Sequence, residues 1–389
     1  MPPPAAHRRA VVVAALGTSQ TLAWASSYYI PAILAESISA TVGISISTFF
    51  AIFSVSLLLS AFLGPSVGRL IDRSGGRGVL LCSNLVFALG LGLLGATQNL
   101  TMLILAWAVM GIGMGMGLYD SAFAALAAAY GRDARGAITG VTLFAGFAST
   151  IGWPTSAVLA EMVGWQGACF FWAAMHLVLG LPLNLLLPRA TQPHEPSKPS
   201  AAAETGGPTP AYTMALLGFV FASTWFVTAA MAAHLPLLLR DAGATPEAAI
   251  AAAALVGPAQ VAARVVEFSL LRRLHPLVSA RLATLTHPIG AVTLAALGGW
   301  AAPAFALLHG AGNGMLTIAK GTLPLALFGP VGYGHRAGLL SVPARGTQAA
   351  APFLFGLVLE TGGAGLGLML STALTLSALV ALLAVRPNR

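Results

Sequence analysis

The sequence predicts an all-α membrane protein of twelve transmembrane helices in two six-helix bundles, with both termini on the cytoplasmic side. Three observations predict it. The chain of 389 residues is 57% hydrophobic and only 8% charged, with a mean hydropathy of +0.84, and apolar stretches long enough to cross a bilayer recur from end to end. Charges, prolines and glycines divide it into twelve such stretches. Their flanking Lys and Arg fall almost entirely on one side, as the positive-inside rule requires.

The spans are expected at residues 10–36, 45–70, 78–98, 101–130, 136–161, 167–187, 212–239, 246–271, 278–299, 303–328, 337–359 and 364–385. The first is too long, and followed by too many others, to be a cleaved leader. With the termini inside, fifteen of the nineteen Lys and Arg are cytoplasmic, only Arg240 is external, and Arg264, Lys320 and Arg345 lie within spans. One missed helix would invert every later loop, so this asymmetry supports the even count. Residues 191–210, rich in Pro, Ala, Thr and Gly, read as a disordered cytoplasmic linker between a bundle at 1–190 and a bundle at 211–389. A transporter made of two repeated bundles places its site at the midplane between them.

The positive balance of +8 is spread in ones and twos between spans, which describes topology and excludes a nucleic-acid partner. Cys82 and Cys169 lie in apolar runs without metal-ligand spacing and read as small core residues. No nucleophile–base set, P-loop or metal box is present, so neither an enzyme nor a primary pump is expected, and no cofactor.

After the second span the chain reads Gly68-Arg69-Leu70-Ile71-Asp72-Arg73-Ser74-Gly75-Gly76-Arg77. This segment resembles the cytoplasmic loop signature of the major facilitator superfamily. The resemblance implies that Gly68 permits close helix approach, that Asp72 caps a neighbouring helix end, and that Arg73 and Arg77 belong to the cytoplasmic gate. The corresponding place in the second half, Leu271-Arg272-Arg273-Leu274, lacks the acid. The first span, with Gln20, Trp24 and Tyr28 at i, i+4 and i+8, resembles the first helix of the monocarboxylate-transporter and oxalate-antiporter group. In that group's carboxylate antiporters, basic residues of the eighth and eleventh helices hold a dicarboxylate. Here those spans carry Arg264 and Arg345, whereas Gln260 replaces the acid of the proton-coupled monocarboxylate carriers.

Five charges lie within apolar spans: Asp120, Arg264, Glu267, Lys320 and Arg345. Such charges cost several kcal/mol by insertion scales, which marks them for function. Arg264 falls about five residues past its span centre, roughly 8 Å toward the cytoplasm, and Arg345, Lys320 and Asp120 fall at a similar depth. Gln260, Arg264 and Glu267 share one helical face; so do His309, Asn313 and Lys320, and Ser341, Arg345 and Gln348. These stripes read as the lining of a wet cavity.

Arginine is a permanent cation whose planar fork suits carboxylates, so the expected substrate is a small organic anion. Arg264, Arg345 and Lys320 are the expected anion ligands, and Gln20, Trp24, Tyr28, Asn313 and Gln348 the residues that shape the cavity. For Arg264 a structural pair with Glu267 stays open, for Arg345 a snorkelling role, and for Lys320 a gating pair. Asp120, Glu267 and His309 are the candidates for carrying a coupling proton. His176, His234 and His287 stand alone in apolar context and read as structural. The expected protein is a monomeric, multi-pass carrier of the inner, cytoplasmic membrane. The alternative is a proton-coupled exporter of drugs or amphipathic compounds, with the arginines in structural pairs.

Overall fold

The computed structural model describes residues 5–188 and 211–385, and the expected linker lies outside the described residues. Every regular element among them is helical. Contacts divide the chain into two units: Met1–Glu204 with Gly329–Leu339, and Thr205–Phe328 with Leu340–Arg389.

The first unit begins with α1 (Ala5–Ala25) and α2 (Pro31–Val42). They are separated where Ser26 and Ser27 turn their hydroxyls back onto the carbonyls of Leu22 and Ala23, and Pro31 opens the next helix. The first expected span is therefore broken in its last third. α3 (Ile46–Ser74) is capped by Ser45, whose Oγ accepts from Thr48 N at 3.1 Å. It stops at Gly75, whose φ of 79° only glycine adopts freely. α4 (Gly76–Gly95) and α5 (Leu100–Gly117) follow, and at Leu118 an extended residue separates α5 from α6 (Tyr119–Tyr130). Next come α7 (Ala134–Ala145) and α8 (Ala148–Met175), which is interrupted at Gly164 (φ 76°). A π turn at His176–Gly180 leads into α9 (Leu181–Leu185).

The second unit holds α10 (Ala211–Asp241), α11 (Pro246–Ala254), α12 (Val256–Ser269), α13 (Pro276–Leu297), α14 (Ala302–Phe328) and most of α15 (Tyr333–Ala384), which is interrupted at Gly363 (φ 62°). The breaks at Gly164 and Gly363 fall in the gaps expected between the fifth and sixth and between the eleventh and twelfth spans. Among the described residues, eight helical stretches are apolar and long enough to cross a membrane. Their outward faces carry Phe62, Met162 and Val178, each at least 70% exposed, a surface suited to lipid.

Glycine sets the packing inside both units. A Cβ on Gly111 would stand 2.6 Å from Ser56 O of α3, and one on Gly113 or Gly117 would strike Phe87 of α4 at 2.9 and 2.6 Å. α5 is thus a wedge whose alternate glycines seat two different helices. In the second unit, Gly310 seats the backbone of α12 at Val256 O (2.6 Å) and Gly312 that of α13 at Ala283 O (2.6 Å). Gly111, Gly113 and Gly115 correspond in this way to Gly310, Gly312 and Gly314, and Gly90 of α4 to Gly290 of α13. Small residues allow the close approach on which helix association in lipid depends.

Candidate functional site

In the first unit, residues of the Gly68–Arg77 segment meet the start of α15. Asp72 Oδ1 accepts from Gly334 N and its Oδ2 from His335 N, both at 2.9 Å. Two of the four unsatisfied amides of a helix start are thereby bonded, with the carboxylate at the positive end of the helix dipole. The contact requires bare backbone on both sides. Gly68 lies against Gly334, and a Cβ on Gly338 would stand 2.5 Å from the Gly64 backbone. Arg69 bonds Ser66 Oγ (3.0 Å) and lies 3.3 Å from His335 Nδ1, while Arg336 donates to Gly329 O at 2.9 Å. Arg73 is exposed and Arg77 half-buried.

Tyr333, fully buried at the start of α15, has its phenol held above the usual range, first by burial and then by the negative charge of Asp120, with Asp72 adding and Arg336 opposing. Burial lowers Arg336, and Asp72 and Tyr333 counter that. Asp120, on the first turn of α6, thus belongs with the helix-end cluster of the first unit. Depth in the span, taken alone, groups it with the bases instead.

Gln20 and Trp24 stand on α1, but Tyr28 lies past its end, so the expected single helical stripe is broken there. The tyrosine ring still meets Trp24 edge-on at 5.3 Å, and Tyr119 also packs on Trp24, at 5.0 Å. Gln20 is buried and donates its Nε2 to Gly117 O at 2.6 Å, a carbonyl released by the break at Leu118. His176, expected as structural, has both ring nitrogens bonded, to Ser26 Oγ at 2.7 Å and Asn84 Oδ1 at 2.9 Å.

In the second unit Arg264 and Glu267 are both buried, one turn apart on α12, and Arg345 is buried on α15. Lys320 of α14 is half-buried, its Nζ 5.3 Å from the centre of the Trp225 ring, a cation–π contact. Trp225 packs against two apolar clusters, one containing Ala263 and the other Ala319 and Ala344. Each of these alanines immediately precedes one of the three bases, so the α10 indole packs on clusters drawn from all three helices that carry them. Gln348 is half-buried, one turn beyond Arg345.

A separate cavity of about 20 Å³ opens among α10, α13, α14 and α15, room for about one water or two. His287 and His309 line it and face each other with Nδ1···Nδ1 at 3.0 Å. Asn313 lines it too, its Oδ1 accepting from Thr228 at 3.2 Å. His287 is therefore not alone, contrary to the expectation from sequence; its partner is on the next helix, where local sequence cannot display it. The threonines of this cavity were also missed. Thr224 with Thr228 at i, i+4, and Thr284 with His287 at i, i+3, formed a readable polar face.

Two helical units packed through glycine, with lipid-suited outer faces and buried charge, define a multi-pass helical membrane protein. The Major Facilitator Superfamily profile matches residues 16–319, and the chain belongs to that superfamily. A search of curated protein sequences finds no significant match. Among solved structures, the human organic anion transporter MFSD10 (TETRAN) superposes with a TM-score of 0.74 at 17% identity, over 97% of this chain and 100% of that one. FucP, a superfamily transporter in the outward conformation, gives 0.75 at 13% over 96% and 98%. The proton:xylose symporter XylE, bound to 6-bromo-6-deoxy-D-glucose, gives 0.77 at 13% over 96% and 95%. At these identities the likeness establishes the fold.

Proposed function

We propose that the protein is a secondary active transporter of a small organic anion, a carboxylate, working by alternating access between halves 1–190 and 211–389 in the cytoplasmic membrane. The carrying observation is the charge of the second unit. Arg264 and Lys320 lie within its long apolar stretches and Arg345 in the part of α15 ahead of Gly363; the two arginines are buried, and Glu267 is the one buried acid among its described side chains. Three bases against one acid leave a net positive interior. An anion bound between arginines balances that charge, and bidentate guanidinium contacts orient a carboxylate. Gln20, Trp24, Tyr28, Asn313 and Gln348 shape the path in this reading, and Asp72 with Arg73 and Arg77 forms the gate. The organic-anion cargo of MFSD10 is consistent with it; the sugar cargo of XylE makes clear that the fold alone does not choose.

Twelve crossings with cytoplasmic termini belong to the same proposal. Two of the eight apolar stretches, Leu100–Ala145 and Pro276–Phe328, run to 46 and 53 residues, enough for about two crossings each at roughly 20 residues per crossing. The segment containing α1 and α2, and α15 ahead of Gly363, supply the remaining two.

Uptake and counterflow of radiolabelled mono- and dicarboxylates in proteoliposomes test the cargo. Arg264→Ala and Arg345→Ala are expected to weaken apparent affinity by about 10- to 100-fold, as for loss of a charge-assisted hydrogen bond of ~1.5–3 kcal/mol. Movement of lipophilic drugs and of no carboxylate would replace this reading with that of a proton-coupled exporter.

A further inference from the structure

The cavity between His287 and His309 has an unusual lining. Each threonine hydroxyl has one proton, and each of the five around this cavity has a backbone carbonyl within reach to accept it, with the Asn313 side-chain oxygen a second acceptor for Thr228. Thr224 donates to Val220 O (2.7 Å) and Thr228 to Thr224 O (2.9 Å). Thr284 donates to Ala280 O (2.7 Å), Thr286 to Ala283 O (2.8 Å) and Thr375 to Ser371 O (2.9 Å). A carbonyl can only accept, so these donor assignments follow from chemistry. What the threonines leave available is lone pairs alone. The threonine part of the lining suits an occupant that brings N–H or O–H protons, or positive charge, with Asn313 adding an amide beside it.

The histidines are placed to provide it. His287 is 4% and His309 5% exposed, and His287 Nε2 is buried with no hydrogen-bond partner. With the two Nδ1 atoms 3.0 Å apart, one ring donates its Nδ1–H to the other, and the donor ring keeps a bare, basic Nε2. One added proton goes to that Nε2. The ring becomes imidazolium, and its Nδ1–H···Nδ1 bond becomes charge-assisted. Phe305, fully buried, stacks on His309 at 6.1 Å and meets His287 edge-on at 5.4 Å.

Among the described residues, nothing else that titrates lines this cavity. α10 and α15 bring threonines, with Val227 of α10, and α13 and α14 bring the two histidines as their titratable groups. α12 packs on the Gly310 and Gly314 face of α14 and carries Arg264 and Glu267, which are not among the lining residues. α11, which also packs on α14, carries the exposed Glu247. By the glycine correspondence between the units, the positions of His287 and His309 match Phe87 and Met110, both members of the apolar core of the first unit. The same packing slot is thus hydrocarbon in one unit and a bonded imidazole pair in the other. Packing alone does not call for that exchange, and a polar pair in lipid is retained at a cost.

We propose that the His287–His309 pair is the proton-binding site of this transporter, its imidazolium held by the surrounding threonine oxygens, so that substrate movement is coupled to protons through the second unit. The coupling part rests on the organic-anion transporter reading; the proton site itself does not. The site is tested first without substrate, by nitrogen NMR of ¹⁵N-histidine-labelled full-length protein in lipid nanodiscs between about pH 8 and pH 5. Two coupled imidazole signals are expected to gain one proton together, and His287→Gln is expected to remove one and shift the titration of the other. His309→Gln serves as the reciprocal variant. If neither ring of the wild-type protein titrates over that range, or each titrates independently of the other, the proposal is overturned. It is equally overturned if sodium chloride, compared with N-methylglucamine chloride, shifts the two signals while protons do not, since the cavity would then be an alkali-cation site.

The coupling is tested with whichever carboxylate moves in proteoliposomes. Uptake is compared with and without an inward proton gradient, and His287→Gln is expected to lose the response to the gradient. A full response in that variant would overturn the coupling. If no carboxylate moves, the organic-anion reading fails, while the NMR titration still decides the proton site.

Discussion

Tyr333 is the residue whose chemistry the surroundings alter in the most testable way. It lies ahead of the eleventh expected span, buried beside Asp120, with its phenol held up by burial and by that charge. In an unfolded chain it would ionise near its ordinary value of about 10, whereas the folded protein keeps the proton. The raised folded pKa means that its contribution to stability is whole below about pH 10 and is lost as pH rises beyond, by up to ~1.4 kcal/mol per pH unit. Tyr333→Phe has no proton to lose and is expected to show a shallower alkaline decline. Melting of detergent-solubilised wild type and variant at about pH 8, 10 and 11 measures the difference, and identical declines would mean that Tyr333 ionises as freely as a surface tyrosine. At the same scale, the role of Asp72 was readable only through its motif. Nothing in the spacing says that its two oxygens reach amides more than 260 positions later.

At the scale of the helix, glycine carries two opposite meanings that the sequence writes identically. Gly111 of α5 and Gly92 of α4 both lie inside helices, yet a Cβ on Gly111 would stand 2.6 Å from Ser56 O, and one on Gly92 would meet nothing within 4 Å. Gly92→Ala is therefore expected to raise the melting temperature, since alanine is favoured in a helix by up to about 1 kcal/mol. Gly111→Ala is expected to lower it, because forcing a methyl against backbone costs about 1–3 kcal/mol. Similar behaviour of the two variants would refute the glycine wedge. The helices themselves were legible where breakers announce them, as at Gly75, Gly164 and Gly363. The break at Leu118 was not, because leucine is no breaker. The interruption shows only in how its released carbonyl is used, by Gln20. The His287–His309 pair was hidden for a related reason, its members being on successive helices, and the threonine hydroxyls look alike in sequence whether their protons are committed or not.

For the molecule as a whole, the architecture was legible because lipid imposes length and apolarity on every span, while orientation rests on a pattern of charges that the fold leaves undetermined. That pattern makes a discriminating prediction. With cytoplasmic termini and twelve crossings, Ser74, Arg132 and Arg273 lie inside, and Ala242 and Trp300 lie outside. Trp300, 94% exposed in the short helical turn between α13 and α14, would there act as an interfacial anchor. Single cysteines at these five positions, in a chain with Cys82 and Cys169 replaced, can be challenged in intact cells with a membrane-impermeant maleimide. Only those at 242 and 300 are expected to react before the membrane is opened, and all five afterward. Because each crossing inverts the side of every later loop, a missing or extra span between 132 and 242 would switch the labelling of 242, 273 and 300 together. A protein with its termini outside would instead give the complete mirror pattern, with Ser74, Arg132 and Arg273 labelled first. The two failures are distinguishable: the first would put the start of α15 on the opposite side of the membrane from Asp72, and the second would move the Asp72 cap and its arginines away from the cytoplasmic gate to which they are assigned.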